Sequence, residues 1–314
     1  MNGTKTINKT WAIFLLACVC CFLWGSATPS IKTGYELFHI AQSDTWSIIL
    51  FAGIRFFIAG LLVVLFESLR NRRPVVPSRD AVPSIVALAL AQTIIQYFFF
   101  YIGLAHTSGV TGTILSGSGG FLSIILVCFV LRTESVTANK IVGVILGFAG
   151  IVIMNISFTG TDSFHFTLLG EGFVLLSQIS YALSGIMVKS FSKKYSVTML
   201  SGYQFMLGGL VMAIVGYAAG GRMYMGAGLV GYVLLVYMAL ISAVAYTLWG
   251  TLLKYNPVSR VAIFNFLTPL FGALLSAIFL GEAQEALAAN KLIALVLVCV
   301  GIYIVNRGPK EIDG

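Results

Sequence analysis

One segment near the end of the sequence, residues 262–282, limits the folds that this chain can adopt. It reads AIFNFLTPLFGALLSAIFLGE and holds no charged residue before its last position, Glu282. About 20 apolar residues form a helix long enough to cross a lipid bilayer. Similar runs recur along the chain, 58% of the residues are hydrophobic and 10% are charged, and the mean hydropathy is +0.96. This composition leaves too little polar surface for a water-soluble globule and predicts an all-α membrane protein.

Apolar runs of spanning length are separated by short polar connections, which predicts ten transmembrane helices in a bundle without a large soluble domain. The predicted limits are 11–31, 46–69, 82–105, 109–131, 138–156, 168–189, 198–219, 229–253, 258–280 and 291–306.

The basic residues predict the orientation of the bundle. Of the 19 Lys and Arg residues, fifteen fall in alternate connections or at the termini, three fall on the other side, and Arg55 lies within a span. Because cytoplasmic loops carry an excess of Lys and Arg, both termini are predicted to be cytoplasmic. The net charge of +8 is therefore interpreted as a topology signal, and nucleic-acid binding is not predicted.

The two halves of the chain resemble each other. Residues 114–134 form a weaker copy of residues 262–282, and the two stretches end on glutamates that are 148 positions apart. Further matches at similar spacing predict two five-helix repeats, residues 1–157 and 158–314. Because five is an odd number, the second repeat must enter the membrane from the opposite side. Such an inverted repeat is typical of many secondary transporters.

Several short motifs resemble those of a known family. They are Trp24-Gly25, Arg55-Phe56, and Thr268-Pro269 followed by Leu280-Gly281-Glu282. On these motifs the whole chain resembles the drug/metabolite transporter (DMT) superfamily and, within it, the EamA-like ten-helix permeases. The resemblance implies a solute carrier of the inner membrane, commonly an exporter of amino acids or other small metabolites, with a central cavity between its halves. The fourth span departs from the family pattern, because a run of serines and glycines at 116–120 replaces the usual proline.

A cation inside the second span is the first candidate for substrate contact. Arg55 lies about 9 residues into that span, roughly 13 Å deep, where a charge costs at least about 2.5 kcal/mol. It is therefore expected to face protein or a wet cavity, where it would bind a carboxylate-bearing solute. The alternative is structural, with Arg55 bound to carbonyl groups at the ends of neighbouring helices. Gln204 occupies the equivalent position in the second repeat.

Other polar and aromatic residues within spans extend this candidate site. Gln92 and Gln96 are four residues apart and share a helix face, from which their amides would bind a solute or join neighbouring helices. Rings near mid-span would contact the apolar part of a solute, whereas rings near helix ends belong to an interfacial belt. The candidate substrate-binding residues are Arg55, Gln92, Gln96, Tyr97, Tyr181, Gln204, Tyr246 and Asn265.

Interruptions in two spans are the predicted gates. Pro269 removes the hydrogen bond to the carbonyl of Asn265 and predicts a kink in the ninth span. Gly117, Gly119 and Gly120 weaken the fourth span by a different route. A kink without a gating role is the alternative. We predict that these two spans supply gates on opposite sides of the cavity.

Glu171, in the first turn of the sixth span, is a candidate proton site, and a favourable interaction with the helix dipole is its alternative role. Neither a metal site nor a cofactor is predicted, because the five cysteines lie in apolar runs without ligand spacing and no catalytic constellation is present. The predicted function is secondary transport of a small-molecule substrate by alternating access within a lipid bilayer. A non-transporting sensor or scaffold and a membrane-embedded enzyme are the alternatives, and a homodimer is left open.

Overall fold

Helices occupy the predicted spans in the computed structural model, which describes residues 10–154 and 166–306. They are α1 Thr10–Leu37, α2 Thr45–Arg70, α3 Arg79–Ala105, α4 Gly109–Val130, α5 Ala138–Met154, α6 Leu168–Phe191, α7 Val197–Ala218, α8 Gly228–Tyr255, α9 Val258–Phe279 and α10 Ala289–Asn306. A further helical turn, Ala283–Ala286, lies between α9 and α10. The predicted repeat boundary at 157/158 and both chain termini lie outside the described residues.

Eight of the described helices, α1–α4 and α6–α9, are long and apolar enough to cross a membrane. The two others are apolar over shorter ranges, 138–150 in α5 and 289–301 in α10. The chain is therefore a multi-pass helical membrane protein, whereas the count of ten spans and the inverted repeat stay predictions.

The first helix is longer than predicted. It continues past Pro29 to Leu37, although the predicted span ends at residue 31. A proline disturbs only one turn, because it lacks one N–H and spoils one carbonyl of the preceding turn. The charge of Lys32 does not end the helix, because its ammonium group donates to the carbonyl oxygen of Thr107 at 2.7 Å. The helix can therefore carry this cation beyond the predicted limit.

Three helices change their winding near the middle of the bundle. Helix α9 contains a 3₁₀ turn over Ile263–Phe266, which directly precedes the turn with Pro269. In α4, the N–H of Gly117 bonds to the carbonyl of Ile114, three residues earlier, at 3.0 Å. Helix α3 holds a π-helical segment over Ala89–Ile95. Such segments are frequent at functional sites, because they interrupt the regular ladder of hydrogen bonds.

The helices of the two halves pack in matching pairs. Helix α2 packs on α7, α4 on α9, and α5 on α10. Helix α1 contacts α8 and α9, and its counterpart α6 contacts α3 and α4. Exchanging α1–α5 with α6–α10 leaves this set of pairs unchanged.

Glycines allow the closest of these contacts, between α2 and α7. A Cβ atom on Gly53 would lie 2.3 Å from the backbone nitrogen of Ala213, and one on Gly209 would lie 2.3 Å from that of Phe57. No side chain fits at such distances, so the two backbones touch directly, as small residues permit in membrane bundles. The α2–α7 pair therefore forms one rigid side of the bundle.

Candidate functional site

Seven helices, α1–α4, α6, α8 and α9, enclose a cavity beside the crossing of α4 and α9. The empty space among its lining residues, counting the opening to solvent, is about 560 Å³. Helices from both halves of the chain contribute to it. The lining residues are Trp24, Ala27, Thr28, Ile31, Arg55, Gln96, Tyr97, Phe100, Ser116, Gln178, Tyr181, Tyr246, Asn265 and Thr268.

Six of the eight predicted substrate-binding residues line this cavity, and two do not. The six are Arg55, Gln96, Tyr97, Tyr181, Tyr246 and Asn265.

The two amides outside the cavity lining join helices to each other. Gln204 Nε2 donates to Gln92 Oε1 at 3.1 Å, and Gln92 Nε2 donates to Ser184 Oγ at 3.2 Å. Thr93 Oγ1 donates to Gln204 Oε1 at 2.5 Å. Gln92 lies one turn of α3 away from Gln96 and therefore meets α6 and α7 instead of the cavity. These contacts agree with the alternative role of interhelical bonding.

Arg55 is 2% exposed and is held by groups of α3 and α8. Its Nε donates to the carbonyl oxygen of Met238 at 3.0 Å, and its terminal nitrogens donate to Ser242 Oγ at 2.9 Å and to the Tyr101 hydroxyl. The ring of Phe56 lies 4.9 Å from the guanidinium carbon, close enough for a cation–π contact. A guanidinium group has five N–H donors, so two remain after these three bonds. Arg55 thus has a structural role and still lines the cavity with donors to spare.

Aromatic side chains form much of the cavity wall. The ring of Trp24 lies edge-on to that of Tyr246, with centroids 5.3 Å apart, and to that of Tyr181 at 6.0 Å. The hydroxyl groups of Tyr97 and Tyr246 are hydrogen-bonded to each other. Phe100 lies edge-on to Tyr97 at 6.0 Å. Such a wall binds apolar or planar groups and keeps them away from water.

Three buried polar atoms around the cavity have no hydrogen-bond partner. They are Nε1 of Trp24, Oε1 of Gln96 and the hydroxyl oxygen of Tyr181. The other amide atom of Gln96 donates to the Tyr246 hydroxyl at 3.0 Å. Buried polar groups are usually paired, because an unpaired one costs about 1–3 kcal/mol. Polar atoms of this kind bind water or a polar ligand when the cavity is occupied.

Several lining residues were not predicted from the sequence. Trp24 enters the prediction only as part of a family motif. Gln178 carries an amide in the middle of α6, so the criterion applied to Gln92 would have found it. The remaining residues are hydroxyl-bearing or apolar side chains, which are too common in membrane helices to be distinguished by type: Ala27, Thr28, Ile31, Phe100, Ser116 and Thr268.

The predicted gating residues of α4 and α9 lie against each other. A Cβ atom on Gly117 would be 2.9 Å from Cγ of Pro269, and one on Gly120 would be 2.8 Å from the carbonyl oxygen of Ala262. A Cβ atom on Gly119 would meet Gln178 Oε1 on α6 at 2.6 Å. The two interruptions therefore meet at one crossing next to the cavity and do not lie on its opposite sides.

Glu171 is not among the cavity-lining residues. Its carboxylate accepts hydrogen bonds from the hydroxyl of Thr107 at 2.7 Å, and from both the N–H and the hydroxyl of Thr167 at 2.8 Å. These bonds join the start of α6 to the α3–α4 connection.

One end of the bundle is closed by what we call the Glu282 clamp, in which Glu282, Glu285 and Lys291 hold the start of α4. The two carboxylate oxygens of Glu282 accept from the N–H groups of Gly109 at 3.0 Å and Val110 at 2.9 Å. Glu285 accepts from the hydroxyls of Ser108 and Thr111, and Lys291 donates to Thr111 Oγ1 at 2.6 Å. An acid at a helix N-terminus pairs with N–H groups that have no partner within the helix.

The equivalent group in the first half, which we call the Glu134 clamp, consists of Glu134 and Lys140 at the start of α9. The carboxylate of Glu134 lies 3.4 Å from the Lys140 ammonium and accepts from the N–H of Ser259 at 3.4 Å. Each half of the chain thus holds the start of a helix in the other half. The bonds of Glu134 to Ser259 and Lys140 are longer than those of Glu282 to Gly109 and Val110.

The fold and this site define a class of protein: a multi-pass helical carrier with a polar cavity inside the membrane, lined by both halves. The chain belongs to the EamA-like transporter family, whose sequence profile matches residues 11–156 and 168–307. This match confirms the resemblance predicted from the short motifs. The protein is therefore a membrane transporter.

Relatives with the same general description cover nearly the whole chain. YvbV of Bacillus subtilis, named an uncharacterized transporter, is 27% identical over 310 residues, which cover 98% of this chain and 95% of YvbV. A WAT1-related chloroplastic protein of Arabidopsis thaliana is 27% identical over 292 residues, covering 91% of this chain and 67% of that protein. YedA of Escherichia coli, named an uncharacterized inner membrane transporter, is 24% identical over 298 residues, with coverages of 91% and 90%. A solved crystal structure with 15% identity has a TM-score of 0.68, covering 93% of this chain and 96% of that one, and so shares the fold.

Proposed function

We propose that the protein is a secondary transporter that moves a small metabolite by alternating access. The observation that carries this proposal is the cavity itself, which lies between the two halves and gathers three unpaired polar atoms and one cation. A solute bound at such a place is reached from one side of the membrane or the other as the halves move around it.

The proposed architecture is ten transmembrane helices in two inverted five-helix repeats, 1–157 and 158–314. Three observations support it. The helix contacts are unchanged when the halves are exchanged, the family profile matches each half separately, and each half clamps the start of a helix in the other. Both clamps are formed in this structure, and rocking of one repeat against the other would open one of them. The contact between Gly117 and Pro269 would then act as the hinge beside the cavity.

The proposed solute carries a carboxylate that binds the remaining N–H donors of Arg55. Arg55 is the sole charged residue among those that line the cavity. Its three bonds to neutral protein groups fix the guanidinium but leave its charge uncompensated, since no acidic residue in the described parts of the chain bonds to it. A carboxylate in the cavity would supply the missing negative charge.

We further propose export across the inner membrane, with both chain termini in the cytoplasm. The distribution of Lys and Arg supports this orientation, and the name of YedA supports the location. The direction of transport rests on the family resemblance.

The test is transport by the purified protein in proteoliposomes loaded with a mixture of metabolites. We expect saturable counterflow of at least one carboxylate-bearing member. Arg55→Gln should abolish counterflow of that solute, whereas Arg222→Gln should not, because the exposed guanidinium of Arg222 donates to the carbonyl groups of Tyr217 and Gly221 and does not line the cavity. If no member of a broad mixture moves faster than in empty liposomes, the proposal of transport is wrong. If the solute moves at the wild-type rate in Arg55→Gln, charge recognition by Arg55 is wrong.

A further inference from the structure

We infer that the cavity takes a monocarboxylate whose neighbouring nitrogen or hydroxyl is an uncharged hydrogen-bond donor, and that it discriminates against free amino acids with their ammonium group. An N-acylated amino acid with an apolar or aromatic side chain is the simplest compound of this class. The inference rests on the proposed function, because it names the class of solute that the same cavity would bind.

The charges around the cavity carry the first step. Among the lining residues the one ionised group is the cation of Arg55, and none is an acid. A carboxylate is therefore attracted to the cavity, whereas an ammonium group would enter next to an uncompensated cation without a carboxylate to receive it. Burying a charge without a partner is unfavourable. A free amino acid would therefore gain binding free energy at its carboxylate and lose it at its ammonium group. A compound with the same carboxylate and a neutral nitrogen avoids this loss.

The unpaired polar atoms carry the second step. Oε1 of Gln96 belongs to a side chain that is 4% exposed, and it accepts no hydrogen bond. A carbonyl oxygen at such a place is completed by one N–H or O–H group of a ligand. Nε1 of Trp24 is a donor and needs an acceptor, and the hydroxyl of Tyr181 can take either role. An amide unit, with its N–H next to its C=O, offers one donor for Gln96 and one acceptor for Trp24.

The shape and the wall of the cavity carry the third step. The rings of Trp24, Tyr97, Phe100, Tyr181 and Tyr246 surround it, together with aliphatic residues of α1. Such a wall favours a solute with an apolar or planar body. The ligand is therefore expected to combine a carboxylate toward Arg55, an uncharged donor toward Gln96, and an aromatic or aliphatic group against the rings.

Three compounds with the same benzyl side chain separate these requirements. N-acetyl-L-phenylalanine has the carboxylate and a neutral N–H, L-phenylalanine has the carboxylate and an ammonium group, and N-acetyl-L-phenylalanine amide has neither charge. We expect the purified full-length protein to bind the first compound at least about tenfold more tightly than either of the others, measured by calorimetry and by the shift of the thermal transition.

Two variants locate the effect. Arg55→Gln should remove the preference for the acetylated acid over its neutral amide. Gln96→Leu should weaken the binding of N-acetyl-L-phenylalanine about tenfold. It should weaken the binding of 3-phenylpropanoate, which has no nitrogen, much less. Arg222→Gln is the matched control for charge. The comparison of ligands on the wild-type protein stands even if a variant fails to fold.

The outcomes separate this inference from the proposed function. If L-phenylalanine binds as tightly as its acetylated form, the inference about the solute class is overturned, and the proposal that the protein is a transporter is unaffected. If none of the three compounds binds while proteoliposomes show counterflow of another metabolite, the inference is again overturned and the transporter stands. If counterflow is absent for every solute in the mixture, the proposed function itself fails.

Discussion

The Glu282 clamp allows one consequence of the structure to be worked out in magnitude. In Glu282→Gln the side chain keeps one oxygen that accepts a hydrogen bond and loses both its charge and its second acceptor. One of the two N–H groups of Gly109 and Val110, bound at 3.0 and 2.9 Å, is then left without its acceptor. A hydrogen bond to a charged group contributes about 1.5–3 kcal/mol, and a carboxylate at a helix N-terminus about 0.3–1 kcal/mol. Because Glu282 is partly exposed, we expect a loss of about 1–3 kcal/mol, or roughly 5–150-fold in the balance between the closed and open forms of this end.

The assay is the accessibility of a cysteine inside the cavity. Ser116 lines the cavity and its hydroxyl bonds to the carbonyl of Gly112 within its own helix, so Ser116→Cys should disturb little. It is placed in a background in which the five native cysteines are replaced. A maleimide that does not cross the membrane is added from the side on which Glu282 lies. Glu282→Gln should raise the labelling rate from that side, and Glu134→Gln, which loses the 3.4 Å ion pair with Lys140 but keeps an acceptor for the N–H of Ser259, should raise it much less.

Two results would refute this reasoning. Unchanged labelling in a folded Glu282→Gln variant would show that the clamp does not hold this end closed. Equal acceleration by Glu282→Gln and Glu134→Gln would show that the charge of either acid affects the bundle as a whole and does not act on one end. Labelling from the opposite side is the internal control, because opening at one end should not increase access from the other.

Three further predictions concern the bundle and its hinge. Gly209→Ala should lower the thermal transition by separating α2 and α7, at a cost of about 1–3 kcal/mol, whereas Gly185→Ala should not, because its Cβ atom would meet nothing nearer than 3.7 Å. Gly117→Ala, whose Cβ atom would press on Pro269 at 2.9 Å, should slow counterflow and leave the solute concentration for half-maximal rate nearly unchanged. Glu171→Gln leaves the donors of Thr107 and Thr167 with a single acceptor oxygen, so the stability of the protein should fall. The response of counterflow to a pH gradient should stay the same. Loss of that response would assign proton carriage to Glu171.

The helices could be located from the sequence because a membrane span is set by one physical quantity, the length of an apolar run. Most helix ends lie within three residues of their predicted positions, and the end of α1 at Leu37 is the main exception. There the predicted span ends at residue 31, directly before the cation Lys32. The ammonium group of Lys32 donates to a carbonyl group of the α3–α4 connection, and such a contact between distant parts of the chain cannot be predicted from local sequence.

The candidate site could be predicted in part, for a related reason. A polar residue in mid-span must avoid lipid, and this rule found Arg55, Gln96 and Asn265. The rule does not say whether the residue meets a cavity or another helix, because that depends on the depth and rotation of each helix. Gln92 and Gln204 satisfy each other for this reason, although their sequence environment resembles that of Gln96. The contact between Gly117 in α4 and Pro269 in α9 could not be predicted either, because it also depends on the depth and rotation of the two helices.

The difference between the two clamps is itself encoded in the sequence, and this bears on which end opens more readily. At the repeat spacing of 148, Pro257 takes the place of Gly109 and Thr137 takes the place of Glu285. A proline has no N–H, so Glu134 lacks the second backbone donor that Glu282 has at the start of α4. The acid that binds the hydroxyls of that turn is also missing from the first half. Both clamps are formed in this structure, and the one at the Glu134 end lacks these two groups, so opening that end breaks weaker contacts. We therefore expect the protein without solute to favour the form closed at the Glu282 end, and a transported solute must favour the other form by enough free energy to release that clamp.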